Sequence, residues 1–143
     1  MALYLLDTTT LTHIRHNHSG VMAMLAIHNN PQAGDRIAVA SVNVEEVVEG
    51  WLRRLQQSKF PRDEAVNSQL LIEAILFIAQ YSLQAVTDTA VVQYHTLRKM
   101  RLNVGRNDLR LAALALELGA TVVTDNARDF RRVPGLAWVD WTV

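Results

Sequence analysis

The sequence contains no cysteine, which excludes disulfide bonds, thiolate zinc sites and cysteine nucleophiles. It also lacks any apolar run of the roughly 18 to 20 residues that a membrane span needs. Its N-terminus has no basic start and too short an apolar run for a signal peptide. No flexible linker or internal repeat divides the chain. For a chain of 143 residues, these absences predict a single cytoplasmic domain over residues 1–143.

An excess of charge of either sign is also missing, because 14 Lys and Arg residues balance 14 Asp and Glu residues. No overall field therefore steers the chain toward nucleic acid or a membrane. Half of the residues are apolar, which is typical of a chain with a buried core rather than of a disordered one. Three histidines, His13, His16 and His18, have no thiolates nearby, so we interpret them as polar surface rather than as a zinc site.

Short apolar runs alternate with segments of helical periodicity along the chain. Strands are predicted over residues 2–6, 36–41, 83–86, 121–124 and, as a closing edge strand, 136–141. The main helices are predicted over residues 21–27, 43–55, 61–79, 88–100 and 108–118. This alternation predicts an α/β fold whose mainly parallel central sheet is covered by helices on both faces.

Acidic residues follow several of these strands or begin the neighbouring helices. Asp7 follows the first strand, Glu45 or Glu46 lies on the helix after the second, and Asp125 follows the fourth, while Asp108 begins the helix before it. Ligands bind at the carboxyl ends of strands in an open α/β sheet, so these acids can meet at one edge. Asp7 and Asp108 are equally suited to capping helices. Helical periodicity does not choose between Glu45 and Glu46.

Three or four carboxylates without thiols or a histidine motif suit a hard cation such as Mg²⁺ or Mn²⁺. Such acids would repel one another if packed together without a cation. A divalent cation removes that repulsion, activates a water molecule and neutralises charge on a scissile phosphate. The pattern therefore predicts metal-dependent hydrolysis of phosphodiester bonds.

The chain resembles PIN-domain ribonucleases, in particular the VapC toxins of bacterial type II toxin–antitoxin pairs. The segments that carry the resemblance are YLLDTTTL, SVNVEEVVEG, VGRNDLRLAALALELGATVVTDNARDFRRVPGL and the closing VDW. The resemblance implies a PIN-like three-layer sandwich and an endoribonuclease that uses a metal-activated water. Asp7 is then the first catalytic acid, Glu46, four residues before Gly50, is the second, and Asp108 is the third. Asp7 and Asp108 would hold the metal most directly.

The fourth acidic position departs from the family pattern. In the family this acid often lies two residues beyond the threonine that ends the strand, which here is Thr124, and Asn126 occupies the place. The resemblance leaves three candidates for this position. Asp125 or Asp129 could supply the charge, or Asn126 could contribute its carbonyl oxygen.

The resemblance also implies partners. The substrate would be a single-stranded loop or a structured RNA, and the family's toxins dimerise and are blocked by a cognate antitoxin that places a basic side chain in the acidic groove. No membrane partner is expected. Backbone phosphates of RNA would be contacted by basic residues near the acids, for which the candidates are Arg106, Arg110 and Arg128.

Three other functions are compatible with parts of the pattern. A phosphatase of the haloacid dehalogenase type also begins with a strand followed by Asp-x-x-x-Thr, but it needs a second acid where Thr9 stands. In a non-catalytic binding module, Asp7 and Asp108 would be helix caps only. A PIN nuclease outside toxin–antitoxin systems would share the acids and lack an antitoxin.

Overall fold

The computed structural model describes residues 2–143, apart from the side chain of Pro31. Its centre is one sheet of five strands in the order β3-β2-β1-β4-β5. Every neighbouring pair in the sheet is parallel. The strands are β1 Leu3–Leu6, β2 Arg36–Ala40, β3 Ser82–Gln84, β4 Thr121–Val123 and β5 Ala137–Val139. The predicted parallel sheet and the edge position of the last strand are therefore confirmed.

Seven α-helices and one short 3-10 turn connect these strands in the described part of the chain. The helices are α1 Thr8–Arg15, α2 Ser19–His28, α3 Ser41–Gln56, α4 Pro61–Ile78, α5 Asp88–Lys99, α6 Arg106–Leu118 and α7 Ala127–Phe130, and the turn is Pro31–Ala33. None of the helices within residues 2–143 is long and apolar enough to cross a membrane.

The sheet separates two apolar cores because successive side chains of a strand point to opposite faces. On β1, Leu5 packs with residues of α5 and α6, whereas Leu6 packs with residues of α1, α2 and α4. Val122 and Val123 divide between the same two cores on β4. Helices thus cover both faces, and the predicted three-layer α/β sandwich is confirmed.

Three predicted boundaries were wrong for local reasons. Strand β3 ends at Gln84 rather than at residue 86, because the Val86 N–H donates to Ser41 Oγ at 3.1 Å instead of pairing with β2. Strand β5 ends at Val139 because Asp140 turns the chain by accepting hydrogen bonds from Thr142.

The third correction concerns the cap of α5. The prediction placed Asp88 at this cap, but Thr87 Oγ1 accepts the hydrogen bond of Ala90 N–H, and Asp88 is the first helical residue. In contrast, Gly119 ends α6 as predicted, in the left-handed conformation with φ of 63° that glycine adopts most easily.

The carboxyl ends of β1, β2 and β4 lie side by side at one edge of the sheet. Leu6 is in register with Val123, and Leu5 is in register with both Ala38 and Val122. The first residues beyond these strands therefore lie next to one another. They are Asp7, Ser41 and Thr124. The parallel register brings the start of the predicted acidic cluster to this edge.

Candidate acidic active site

Asp7 is fixed at the end of β1 by three hydrogen bonds. Its Oδ1 accepts bonds from the Thr9 N–H at 2.5 Å and the Thr9 hydroxyl at 2.7 Å, and its Oδ2 accepts the Thr124 hydroxyl at 2.7 Å. The residue is 3% exposed and is also the N-cap of α1. Capping and a place at the acidic edge are therefore not alternatives for Asp7, because one side chain does both.

Asp108 lies in the first turn of α6 but does not cap the helix. The N-cap is Gly105, which has no side chain to accept a hydrogen bond, so the capping interpretation of Asp108 was wrong. Burial, together with the negative charges of Asp7, Glu46 and Asp129, raises the pKa of Asp108 to about 6. These repulsions mean that the four carboxyl groups share one electrostatic environment.

Glu46 reaches this environment from α3, and Glu45 does not. The Oε1 atom of Glu46 accepts the Thr8 hydroxyl at 3.1 Å and the Asn43 side-chain amide at 3.4 Å. Glu45 instead pairs with Arg110 at 2.9 Å, and its side chain is 48% exposed. The structure thereby distinguishes two neighbours that helical periodicity left equivalent.

The segment after β4 brings Asp129, which lies on α7, rather than Asp125 to the acids. Asn126 Nδ2 donates to Asp129 Oδ2 at 3.0 Å and, more weakly, to Asp108 Oδ2 at 3.4 Å. The backbone N–H of Asn126 is held by Thr124 Oγ1 at 2.9 Å. Asn126 therefore meets both acids through its amide nitrogen, whereas its predicted contribution to the site was its carbonyl oxygen.

Asp125 lies beside this group and pairs with His13. Its Oδ2 lies 2.8 Å from His13 Nε2. Burial pushes the pKa of Asp125 upward, but hydrogen bonds from His13 and Thr9 outweigh it and hold that pKa below the ordinary value. Asp125 is not among the charges that raise the pKa of Asp108. The structure thus brings together Asp7, Glu46, Asp108 and Asp129, with Asp125 beside them.

The three predicted RNA-binding arginines lie around the acids without contacting them. Arg110 is held by Glu45 and by Asn107 Oδ1 at 3.1 Å. Arg106 is exposed and lines a groove of about 190 Å³ beside α5. Arg128 is exposed on α7. Their role in RNA binding stays a prediction.

Two residues that the sequence pattern does not identify support the acids. Thr9 supplies two of the three hydrogen bonds to Asp7. Asn43 is 2% exposed and donates to both Thr8 Oγ1 and Glu46 Oε1. Its spacing of three residues from Glu46 puts both on one face of α3. An amide at that spacing from an acid is the sequence signal for this contact, although position 43 was predicted only as the first residue of a helix.

The donor set fits a hard divalent cation. Among residues 2–143, no three Asp, Glu or His side chains lie close enough together to hold a metal directly. Mg²⁺ commonly takes one or two carboxylates and keeps several of its waters, so Asp7 and Asp108 suffice as direct ligands. A cation would relieve the repulsion that raises the pKa of Asp108. Asn43 Oδ1, buried and without a hydrogen-bond donor in the described part of the chain, could accept from such a water.

Sequence comparisons place the chain among known nucleases. The PIN domain family matches residues 4–136. Ribonuclease VapC1 of Haemophilus influenzae is 26% identical over 145 residues, which cover 98% of each chain. The tRNA(fMet)-specific endonuclease VapC of Salmonella typhimurium is 30% identical over 106 residues, which cover 74% of this chain and 76% of that one.

Solved structures agree with this placement. VapBC-1 from nontypeable Haemophilus influenzae superposes with a TM-score of 0.76 at 25% identity and covers 99% of both chains. VapBC2 from Rickettsia felis, bound to a promoter DNA fragment, superposes with a TM-score of 0.73 at 25% identity over 97% of this chain and 98% of that one. The chain therefore belongs to the PIN-domain family, and within that family it is similar to the VapC ribonucleases.

Proposed function

We propose that the protein is the toxin of a type II toxin–antitoxin module and acts as a metal-dependent endoribonuclease. The observation that carries the proposal is the proximity of Asp7, Glu46 and Asp108, which is close enough for the charges of Asp7 and Glu46 to contribute to the raised pKa of Asp108. Asp7 directly follows β1, Glu46 lies on α3 and Asp108 lies on α6, at the ligand-binding edge of a parallel sheet. The relatives named ribonuclease and endonuclease give the chemistry that such a site performs.

In the proposed reaction, Asp7 and Asp108 are the residues that would hold Mg²⁺ or Mn²⁺. A bound cation would supply an activated water and neutralise charge on the phosphate of the RNA. Thr9 and Thr124 keep the Asp7 carboxylate in one orientation, which avoids reorganising it during the reaction. Glu46 uses Oε1 to accept from Thr8 and Asn43, so Oε2 is the oxygen that can take the proton of the attacking water.

Asp129 and Asn126 have a supporting role in this proposal. Asn126 donates to both Asp108 and Asp129 and so sets the distance between two carboxylates that repel each other. Arg132 donates to Asp129 Oδ1 at 3.4 Å and to the Asn103 carbonyl oxygen at 2.9 Å. This arginine ties the supporting acid to the segment before α6, the helix that carries Asp108.

The proposed partners are RNA, a cognate antitoxin and a second copy of the chain. Two of the structures similar to this chain are VapBC assemblies, and one of them is bound to promoter DNA. By this analogy the antitoxin would block the acidic site, and the toxin would act on RNA in the cytoplasm. A short upstream reading frame for a small DNA-binding protein is the expected genetic signature. Its absence would favour a PIN nuclease outside toxin–antitoxin systems.

The test compares wild type with Asp7→Asn, Asp108→Asn and the control Asp63→Asn, which changes an exposed acid on α4. RNA cleavage is measured during Mg²⁺ and Mn²⁺ titrations, and product ends are sequenced after induced expression. Wild type and the control should cleave at the same positions, while both site variants stay folded and lose metal binding and cleavage. If the two site variants lose only thermal stability and still cleave RNA, the acids are structural and the proposal is wrong.

A further inference from the structure

A second groove opens directly from the acidic site, between α1 and α3. Its volume is about 450 Å³. Thr8 and Glu46, which share a 3.1 Å hydrogen bond at the acidic site, also form part of its wall. Trp51, Arg15 and Arg54 line the groove farther along. The groove therefore joins the acids to a surface that is aromatic and basic.

The arginines of this groove lie against the indole ring. The guanidinium carbon of Arg54 is 4.6 Å from the centre of the Trp51 ring, and that of Arg15 is 5.9 Å away. Among residues 2–143, neither arginine takes part in a salt bridge. The ring thus holds two cationic groups beside it whose charges are not neutralised by a carboxylate of the described chain.

The two apolar cores do not account for Trp51 and Gly50. The sequence pattern places Trp51 on the apolar stripe of α3, yet its side chain is partly exposed and belongs to neither apolar core. Gly50 lies inside the same helix, where glycine is unfavourable, and a Cβ added there would meet no atom within 4 Å. Close packing within the chain does not require this glycine, and the space beside it belongs to the groove.

We propose that this groove binds a nucleotide of single-stranded RNA next to the bond that is cleaved. The base would lie against the Trp51 indole, and Arg15 and Arg54 would contact the neighbouring phosphates. Aromatic rings and arginines bind unpaired bases in this way, because every base presents a π-face whatever its sequence. The inference rests on the proposed ribonuclease function and adds a binding subsite to it.

Charge favours RNA over a protein segment as the occupant. A uniformly basic peptide would be repelled by Arg15 and Arg54, and a uniformly acidic one by Glu46 and the acids beyond it. The single basic side chain expected of an antitoxin would suit only the acidic end of the groove. A nucleic acid strand matches both ends of the groove, because its phosphates suit the arginines and its scissile phosphate lies at the proposed metal site. Base-paired RNA does not expose its base faces, so the groove selects unpaired segments.

The first measurement uses neighbouring arginines as a matched pair. Arg54 lines the groove, whereas Arg53 is an exposed arginine on the same helix that does not. Arg54→Gln and Arg53→Gln are each made in the Asp108→Asn background, so that cleavage does not interfere with the binding of a labelled single-stranded RNA oligonucleotide. Arg54→Gln should weaken binding and reduce the slope of log K against log salt by about 0.7, the value for one phosphate contact. Arg53→Gln should leave that slope unchanged.

The second measurement concerns the aromatic ring. In the same background, Trp51→Ala should weaken binding roughly 5- to 150-fold, the range for loss of one stacked base, and Trp51→Phe should retain part of the affinity. RNA should quench tryptophan fluorescence in the Asp108→Asn protein. Trp51→Phe should remove that quenching, although Trp138 and Trp141 remain. Circular dichroism confirms that each variant is folded.

The results of these measurements distinguish a failure of the proposed subsite from a failure of the proposed ribonuclease function. If the wild type cleaves RNA but Trp51→Ala and Arg54→Gln bind it as tightly as their background, the subsite is wrong and the ribonuclease proposal stands. If the wild type neither binds nor cleaves RNA, the ribonuclease proposal fails and the subsite fails with it. If Arg54→Gln changes only the sedimentation coefficient of the protein, the groove is a surface between copies of the chain, which also overturns the proposal.

Discussion

Asp7 and Asp108 carry the same carboxyl group in different surroundings. Asp7 accepts three hydrogen bonds from two threonines that do not carry charge. Asp108 has one weak hydrogen bond from Asn126 and three acidic neighbours that repel it. The Asp7 side chain therefore stabilises the fold, whereas the Asp108 side chain is held in place at a cost in stability. Replacing each by asparagine should change stability in opposite directions.

We expect Asp7→Asn to destabilise the protein. Asparagine keeps one acceptor oxygen, so at least one donor of Thr9 or Thr124 loses its partner in a site that is 3% exposed. Loss of a cap and of a buried hydrogen bond should lower the free energy of unfolding by roughly 1 to 2 kcal/mol. Urea denaturation near neutral pH in the presence of a chelator measures the change. A stability equal to that of wild type would mean that the three hydrogen bonds are not made in solution.

We expect Asp108→Asn to stabilise the metal-free protein above about pH 6. The pKa of Asp108 in the folded chain, about 6, lies above its ordinary value of 3.8, so the folded chain binds this proton more tightly than the unfolded chain. Wild-type stability is therefore lost as the pH rises from 3.8 to about 6, whereas the variant does not undergo this loss. Because the side chain is partly exposed, solvent screening limits the gain to about 1 kcal/mol.

Denaturation in the presence of a chelator measures the stability of the metal-free protein. The same experiment with Mg²⁺ in place of the chelator measures the effect of the metal. Added Mg²⁺ should stabilise the wild type and leave Asp108→Asn unchanged, since the variant lacks a proposed ligand. Glu73→Gln is the control, because it removes an exposed carboxylate from the interior of α4, away from the helix N-terminus, and should behave as wild type does. A loss of stability in Asp108→Asn at alkaline pH would contradict the repulsion inferred from the geometry.

At the scale of secondary-structure elements, the apolar stripe of α3 packs against the core in the first turns of the helix and borders the proposed RNA groove farther along. Val44 and Val47 pack against the core that contains Leu6, while Gly50 and Trp51 border the groove. Glycine inside a helix loses more conformational freedom on folding than alanine does. An exposed glycine with open space around it is therefore kept at a cost in stability.

We expect Gly50→Ala to raise the free energy of unfolding by roughly 0.5 to 1 kcal/mol. A Cβ at this position would meet no atom within 4 Å, so the helix should gain stability without strain. Thermal and urea denaturation measure the gain. Gly119→Ala serves as the opposite control, because Gly119 has a φ of 63° and alanine would be strained there. If Gly50→Ala destabilises the protein, Gly50 is packed more closely than the structure indicates.

The sequence predicts elements well where the signal is local. The apolar runs of β1, β2 and β4 locate the strands, and the acids that follow or precede them locate Asp7 and Asp108. The choice between Glu45 and Glu46 is not local, because it depends on Arg110, which lies 65 residues away in the chain and pairs with Glu45. Asp125 is turned aside in the same way by His13, 112 residues away. Such distant contacts cannot be deduced from periodicity, so the resemblance to a family had to supply the second acid.

At the scale of the whole molecule, Asp35 and the acids lie at opposite ends of the sheet, because Asp35 precedes β2 whereas Asp7 follows β1. Asp35, just before β2, accepts the Ala2 N–H at 3.0 Å and lies 2.7 Å from His28 Nδ1. The His28 ring stacks on Trp141 at 5.4 Å with an interplanar angle of 4°. Asp35 and His28 therefore connect the first strand, the end of α2 and the last residues of the chain. This junction can affect stability without contacting the catalytic edge.

We expect Asp35→Asn to lower stability in a pH-dependent way and to leave RNA cleavage near neutral pH unchanged. Hydrogen bonds from His28 and from the Ala2 backbone hold the pKa of Asp35 below its ordinary value of 3.8. A carboxyl group whose pKa is lowered by folding contributes its full stabilisation above the pKa that it has in the unfolded chain. That contribution is lost as the pH falls through the pKa that it has in the folded chain. The variant should therefore be less stable than wild type at about pH 5 to 7, and the difference should shrink below about pH 4. Urea denaturation across this range tests the prediction, and a difference that stays constant with pH would show that Asp35 acts through packing rather than through its charge.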